Sequence, residues 1–353
     1  VSCWPMIDPH VHLRDWNQAD KETLQHGMEV ALQCGIDEVF DMPNTSPPLT
    51  TEAAILKRLE DADRCRTGVR YHLWAGVTSD PKQVESIAKL AKALFPSVIG
   101  LKMFAGHSTG HMGLVDEQMQ REVYQTLTDA GYEGMVALHC EKEALLKPAL
   151  EDERDFSSHS LARPVEAEAA SVRDQIRLSS EAGFKGHLHI CHLSSIEALG
   201  IIEEAKREGR RISLAVTAHH ALLCSKDAKD HSLYAKMNPP LRSETERSSL
   251  FAALLEGRVD WIETDHAPHT LRDKECGASG IPGFSGLLLL VKQLIEQGAE
   301  HSLLTQLLGS RVLQIAGLPE REISIPAYDQ LSALSLAAAR AYPYDSFSTL
   351  RLR

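Results

Sequence analysis

The chain has 353 residues, 43% of them hydrophobic, and 37 basic against 49 acidic side chains leave a formal net charge of −12. That balance supplies a sizeable core but no basic face for nucleic acid, and no apolar run is long enough to span a bilayer. Seven scattered cysteines without a C-x-x-C pair, and an amino end with no signal-peptide pattern, lead us to expect a cytoplasmic protein with reduced thiols.

In chain order, an apolar run at 4–7 leads into Asp8-Pro9-His10-Val11-His12-Leu13-Arg14-Asp15. A helical pattern at 21–33 precedes a candidate strand at 38–41, which ends in Met42-Pro43-Asn44-Thr45. A second helix at 51–64, a strand at 71–77 and a helix at 81–94 follow, with Thr50 and Asp80-Pro81 as start signals. The run at 98–101 ends in Lys102, and after a helix at 116–130 the run at 135–138 ends in His139. A helix at 165–182, a strand at 187–191 ending in His192, and a helix at 195–208 introduced by Ser194 come next. A strand at 211–217, a helix at 244–255 and a run at 259–264 ending in Asp265 complete the series. Eight strands alternating with helices predict a (β/α)8 TIM barrel, whose chemistry gathers at the carboxyl-terminal rim. Residues 1–317 would form the barrel. Residues 318–353 would be a tail that packs on the barrel or remains from an accessory β domain. Segments 151–160, 219–242 and 270–282 read as rim insertions.

His10, His12, Lys102, His139, His192 and Asp265 thus all stand at the ends of apolar runs, where one fold would bring them to one rim. Histidines separated by one residue share a strand face and can grip one ion. Each alone has a bland alternative: hydrogen-bonded strand-end or core histidines, an aspartate capping the next helix, and a lysine paired with Asp116 or a substrate carboxylate. A buried lysine can also lose its proton and take up carbon dioxide as a carbamate, an anion with two oxygens. Arg14 would present a bidentate fork to a carboxylate unless it pairs with Asp15 or Asp20.

Asp8–Asp15, Met42–Thr45, Gly100-Leu101-Lys102, His139-Cys140-Glu141, His189–Ser194 and Thr264–His269 together resemble the motifs of the amidohydrolase superfamily and, within it, of the dihydroorotases. The resemblance spans roughly residues 5–290, with further matches at Arg163-Pro164, Thr217–His220, Asn238–Arg242 and Gly280–Phe284. It implies reversible zinc-dependent interconversion of N-carbamoyl-L-aspartate and L-dihydroorotate in de novo pyrimidine biosynthesis. By the same resemblance two Zn2+ ions are held, one by His10, His12 and Asp265 and the other by His139 and His192, with carboxylated Lys102 and a hydroxide between them. Asp265 would be the catalytic proton carrier, and Arg14, Asn44 and His269 would bind a small-molecule substrate. Ser108 and Thr109 are candidate loop contacts. A homodimer, with possible association to other pyrimidine-pathway enzymes, is the expected assembly. The alternatives are another cyclic amidohydrolase, of hydantoinase or allantoinase type, and a catalytically silent partner subunit. Two departures stand out. The accessory β-sandwich of many relatives is largely absent, and Ala215 replaces a glutamate of some relatives, which argues against a third metal involving Cys191.

Overall fold

The computed structural model describes residues 5–107, 112–152, 155–227 and 232–351. Eight strands form one parallel sheet in chain order: β1 Met6–Val11, β2 Ile36–Asp41, β3 Arg70–Gly76, β4 Val98–Ala105, β5 Met135–Cys140, β6 His187–Ile190, β7 Ile212–Thr217 and β8 Trp261–Glu263. Helices on the outside separate them, as a barrel of parallel strands requires. Both faces of nearly every strand are therefore buried, against side chains inside and helices outside.

Several boundaries differ from the sequence expectation for one physical reason. An apolar run ends at its first polar residue, but the backbone ladder does not. β1 continues through His10 to Val11, β4 through Lys102 to Ala105 and β5 through His139 to Cys140. Capping residues also move by one. Thr51 rather than Thr50 accepts the Ala54 N–H, and Ser195 rather than Ser194 accepts that of Ala198, while both serine hydroxyls donate to the buried carboxylate of Glu168. Asp80 caps Pro81–Leu94 as expected.

Several helices were not anticipated, and among the described residues the two long ones are Phe284–Glu296 and Tyr328–Arg340. They lie side by side, with Leu331 and Ala338 buried and the Ser335 hydroxyl donating to the Ser285 carbonyl (2.7 Å). The tail beyond Leu318 also returns to the rim. The Tyr342 hydroxyl donates to Glu22 (2.7 Å), and the Tyr344 ring stacks on Tyr234 (4.9 Å).

The barrel closes between β1 and β8 without a regular ladder. His12 N–H donates to the His266 carbonyl (2.7 Å), while the Thr264 N–H and hydroxyl donate to the Asp8 carboxylate (3.1 and 2.5 Å). Among the described residues no helix is long and apolar enough to cross a membrane.

Candidate metal centre

β1 and the turn after β8 deliver the first donor group. His10 Nε2, His12 Nε2 and Asp265 Oδ1 form a triangle with sides of 3.3, 3.0 and 3.2 Å. Donors held tetrahedrally at about 2.0–2.1 Å from a zinc ion are separated by roughly 3.3 Å, so the triangle fits one metal ion. The other ring nitrogens are committed elsewhere: His10 Nδ1 faces Glu263 (2.9 Å) and His12 Nδ1 faces the Asn44 carbonyl oxygen (2.5 Å). A ligating imidazole held in this way has its tautomer and ring plane fixed. Burial opposes ionisation of Asp265, but the bonds from His10 and His12 outweigh it and hold the carboxyl well below its usual range. Burial takes the His12 pKa down to about 4, so at neutral pH its lone pair is free for a cation.

His139 at the end of β5 and His192 after β6 form the second group, with His139 Nδ1 3.3 Å from His192 Nε2. His139 Nε2 bonds Glu141 (3.0 Å), and Arg163 grips Glu141 through its guanidinium. Burial keeps both histidines neutral at neutral pH. The His10 and His192 rings lie 5.2 Å apart, so the two groups adjoin. Two neutral imidazole nitrogens buried side by side suit a second cation.

Lys102, on β4, is fully buried. Its ammonium donates to Cys191 Sγ (3.1 Å) and lies 5.0 Å from the Phe104 ring centroid. It does not pair with Asp116, which caps Glu117–Asp129. Nor does Asp265 cap a helix, since Thr270 and Asp273 form the capping box that starts Leu271–Glu275.

A narrow cleft opens over these groups, lined among others by Arg14, Asn44, Phe104, Asn238, Ala267 and Gly280. Arg14 lies in the loop after β1, because the strand ends at Val11. It pairs with neither Asp15 nor Asp20. Its Nε donates to the Pro268 carbonyl (3.1 Å) and an NH2 faces His269 Nε2 (3.2 Å). Burial and the cations Arg14, Lys21 and Lys274 push the His269 pKa far down, leaving a neutral imidazole beside a guanidinium. Asn44 does more than line the cleft, since it also orients His12. Ser108 and Thr109 lie outside the described residues.

Glu263 was overlooked in the sequence, although a carboxylate inside the otherwise apolar Trp261-Ile262-Glu263 was the available signal. The absence of a glutamate at 215 does not leave Cys191 without a carboxylate neighbour. Glu263 pairs across β7 with Thr217 and points inward, where His10, Cys191 and Glu263 offer ligand atoms within 4.8 Å of one another. Burial raises the Cys191 thiol pKa, but Lys102 and His10 together outweigh it and draw it down to about 5.

No family model matches the chain. A dihydroorotase of Brevibacillus brevis is 33% identical over 98% of this chain and 80% of its own length. An L-hydantoinase (dihydropyrimidinase) from Arthrobacter aurescens superimposes with a TM-score of 0.81 at 24% identity, over 91% of this chain and 73% of its own. A Saccharomyces cerevisiae dihydroorotase in complex with 5-fluoroorotic acid does so with a TM-score of 0.73 at 17% identity, over 92% and 86%. The hydantoinase and yeast likenesses carry the barrel fold, and the Brevibacillus relative carries the family: the chain belongs to the dihydroorotases of the amidohydrolase superfamily.

Proposed function

We propose that the chain is a zinc-dependent dihydroorotase that interconverts L-dihydroorotate and N-carbamoyl-L-aspartate. One observation carries the reading: two donor groups with spacings of 3.0–3.3 Å open on the same cleft as the buried Arg14, whose guanidinium faces His269. His10, His12 and Asp265 would hold one ion and His139 and His192 the other, and Lys102, as a carbamate, would be a further anionic ligand. When bound, two divalent cations supply Lewis acidity, lowering the pKa of water and polarising the ring carbonyl.

The chain's own residues do the rest. Arg14, with His269 and Asn44 beside it, binds the substrate carboxylate and sets the ring against the metal groups. Asp265 is ionised at neutral pH, so it can take the proton of the attacking water and return it to the leaving ring nitrogen. Phe104 and Ala267 narrow the cleft and exclude bulk water from the reacting bond. A hydantoinase acts on a neutral ring and has no need of a buried guanidinium here, which favours dihydroorotate over that alternative.

Elemental analysis together with turnover tests this reading. About two zinc ions per chain and efficient hydrolysis of dihydroorotate are expected. Active protein without metal, or efficient turnover of hydantoin with none of dihydroorotate, would overturn it.

A further inference from the structure

We infer that Glu263 is a positioning residue that couples the two ion sites, one carboxylate fixing a ligand of each. The inference rests on the proposed assignment of His10 and His192 to different ions. Glu263 Oε1 accepts from His10 Nδ1 (2.9 Å) and from the backbone N–H of His192 (2.7 Å), while Oε2 faces His189 Nε2 (3.3 Å). β1 and β6 are not neighbours in the sheet, so no ladder connects the two histidines.

Each bond fixes something its ligand cannot fix alone. A proton on His10 Nδ1, shared with a carboxylate, leaves the lone pair on Nε2, which faces His12 Nε2 at 3.3 Å and Asp265 Oδ1 at 3.2 Å. His192 has a φ of 36°, a left-handed conformation costly for a residue with a Cβ. Its N–H on a charged acceptor is a strong bond holding that turn, and the turn determines where the His192 ring meets His139. Cys191 shares this space, but His10 Nδ1 is already engaged by Glu263, so the group of His10, Cys191 and Glu263 serves orientation. Glutamine at 263 would keep the shape while removing the negative charge that His10 Nδ1 and the His192 N–H share.

The test is a zinc titration of metal-free wild-type and Glu263→Gln protein against a competing chelator. Both equivalents are followed, and the melting temperatures of the two metal-free proteins are measured alongside. Second-sphere partners of metal ligands are worth about 10–100-fold in affinity, so the variant should bind both equivalents at least about tenfold more weakly. Weakening of one equivalent alone, or of neither, overturns the coupling. A lowered melting temperature with unchanged zinc affinities would mean a purely structural role and overturns it as well. A wild type that takes up no zinc removes the ligand assignment itself, a different failure. Should the variant not fold, 15N-histidine spectra and amide exchange of the zinc-loaded wild type decide. A proton on His10 Nδ1 with metal on Nε2, and a slowly exchanging His192 amide, are expected, and the reverse at either position overturns the proposal.

Discussion

Arg14 is buried to 2% exposure, yet its guanidinium meets no carboxylate among its hydrogen-bond partners, only the Pro268 carbonyl and His269. Burying a cation in this way is costly unless an anion arrives, and in the proposed function the substrate carboxylate is that anion. Losing a charge-assisted bidentate contact costs about 1.5–3 kcal/mol per bond, so Arg14→Met should lower kcat/KM for dihydroorotate by about tenfold or more, with metal content unchanged. Turnover of neutral dihydrouracil should change far less, and equal losses on both substrates would place Arg14 in the metal architecture. Lys102 allows a different test at the same scale. Lys102→Ala should lose most activity and much of the metal, and short carboxylic acids in solution should restore part of both, because they would replace the oxygens of the proposed carbamate. Full activity with both ions retained would show that Lys102 is no ligand.

At the scale of elements, β4 and β5 meet at their carboxyl ends, where Glu141 N–H donates to the Ala105 carbonyl (3.2 Å) and Gly106 follows with a φ of +129°. A Cβ there would stand 1.9 Å from the Glu141 carbonyl oxygen, whereas one on Gly131 would meet nothing within 4 Å. Gly106→Ala should therefore cost roughly 2–4 kcal/mol in urea unfolding and disturb Glu141 behind His139, against about 1 kcal/mol for Gly131→Ala. Similar costs at the two positions would show that the clash is relieved. The strand ends were the legible part of this region, because an apolar run stopping at His, Lys or Asp is visible along one chain. The helix Phe284–Glu296 was not legible, since Leu287, Leu288, Leu290, Val291 and Leu294 are buried between the barrel and the helix Tyr328–Arg340, which blurs a one-sided pattern. Glu263 escaped for a deeper reason. Its meaning lies in a histidine 253 residues away, and only the closed ring brings the two together.

For the whole molecule, Arg321 ties the tail segment to the start of the barrel. It donates to Asp37 and Glu38 (both 2.9 Å) and to the Pro5 carbonyl (3.1 Å). Burial would raise the Glu38 pKa, but His72, Arg70 and Arg321 outweigh it and bring it from 4.5 down to about 2. A depressed carboxyl pKa contributes stability that is present above the unfolded value and is lost as pH falls through the folded one, here between 4.5 and about 2. Arg321→Ala should raise the folded pKa, remove about 1–2 kcal/mol at neutral pH and move the acid-unfolding midpoint upward. An unshifted midpoint would show that His72 and Arg70 suffice.

The seam between β1 and β8 would give an ion held by His10, His12 and Asp265 a second task. His12 and Asp265 stand on opposite sides of that join, 253 residues apart in the chain, and the ladder there is reduced to a bridge at Val11 and the bonds around Asp8. An ion gripping both sides acts as a clasp on a cylinder. Cross-linking a loop of this length is worth on the order of 5 kcal/mol in chain entropy. Stripping the metal should then loosen the cylinder at one line rather than soften it evenly, with hydrogen exchange rising first along β1 and β8 while β3, β4 and β5 stay protected. A uniform rise across all eight strands would mean that the ring keeps itself shut.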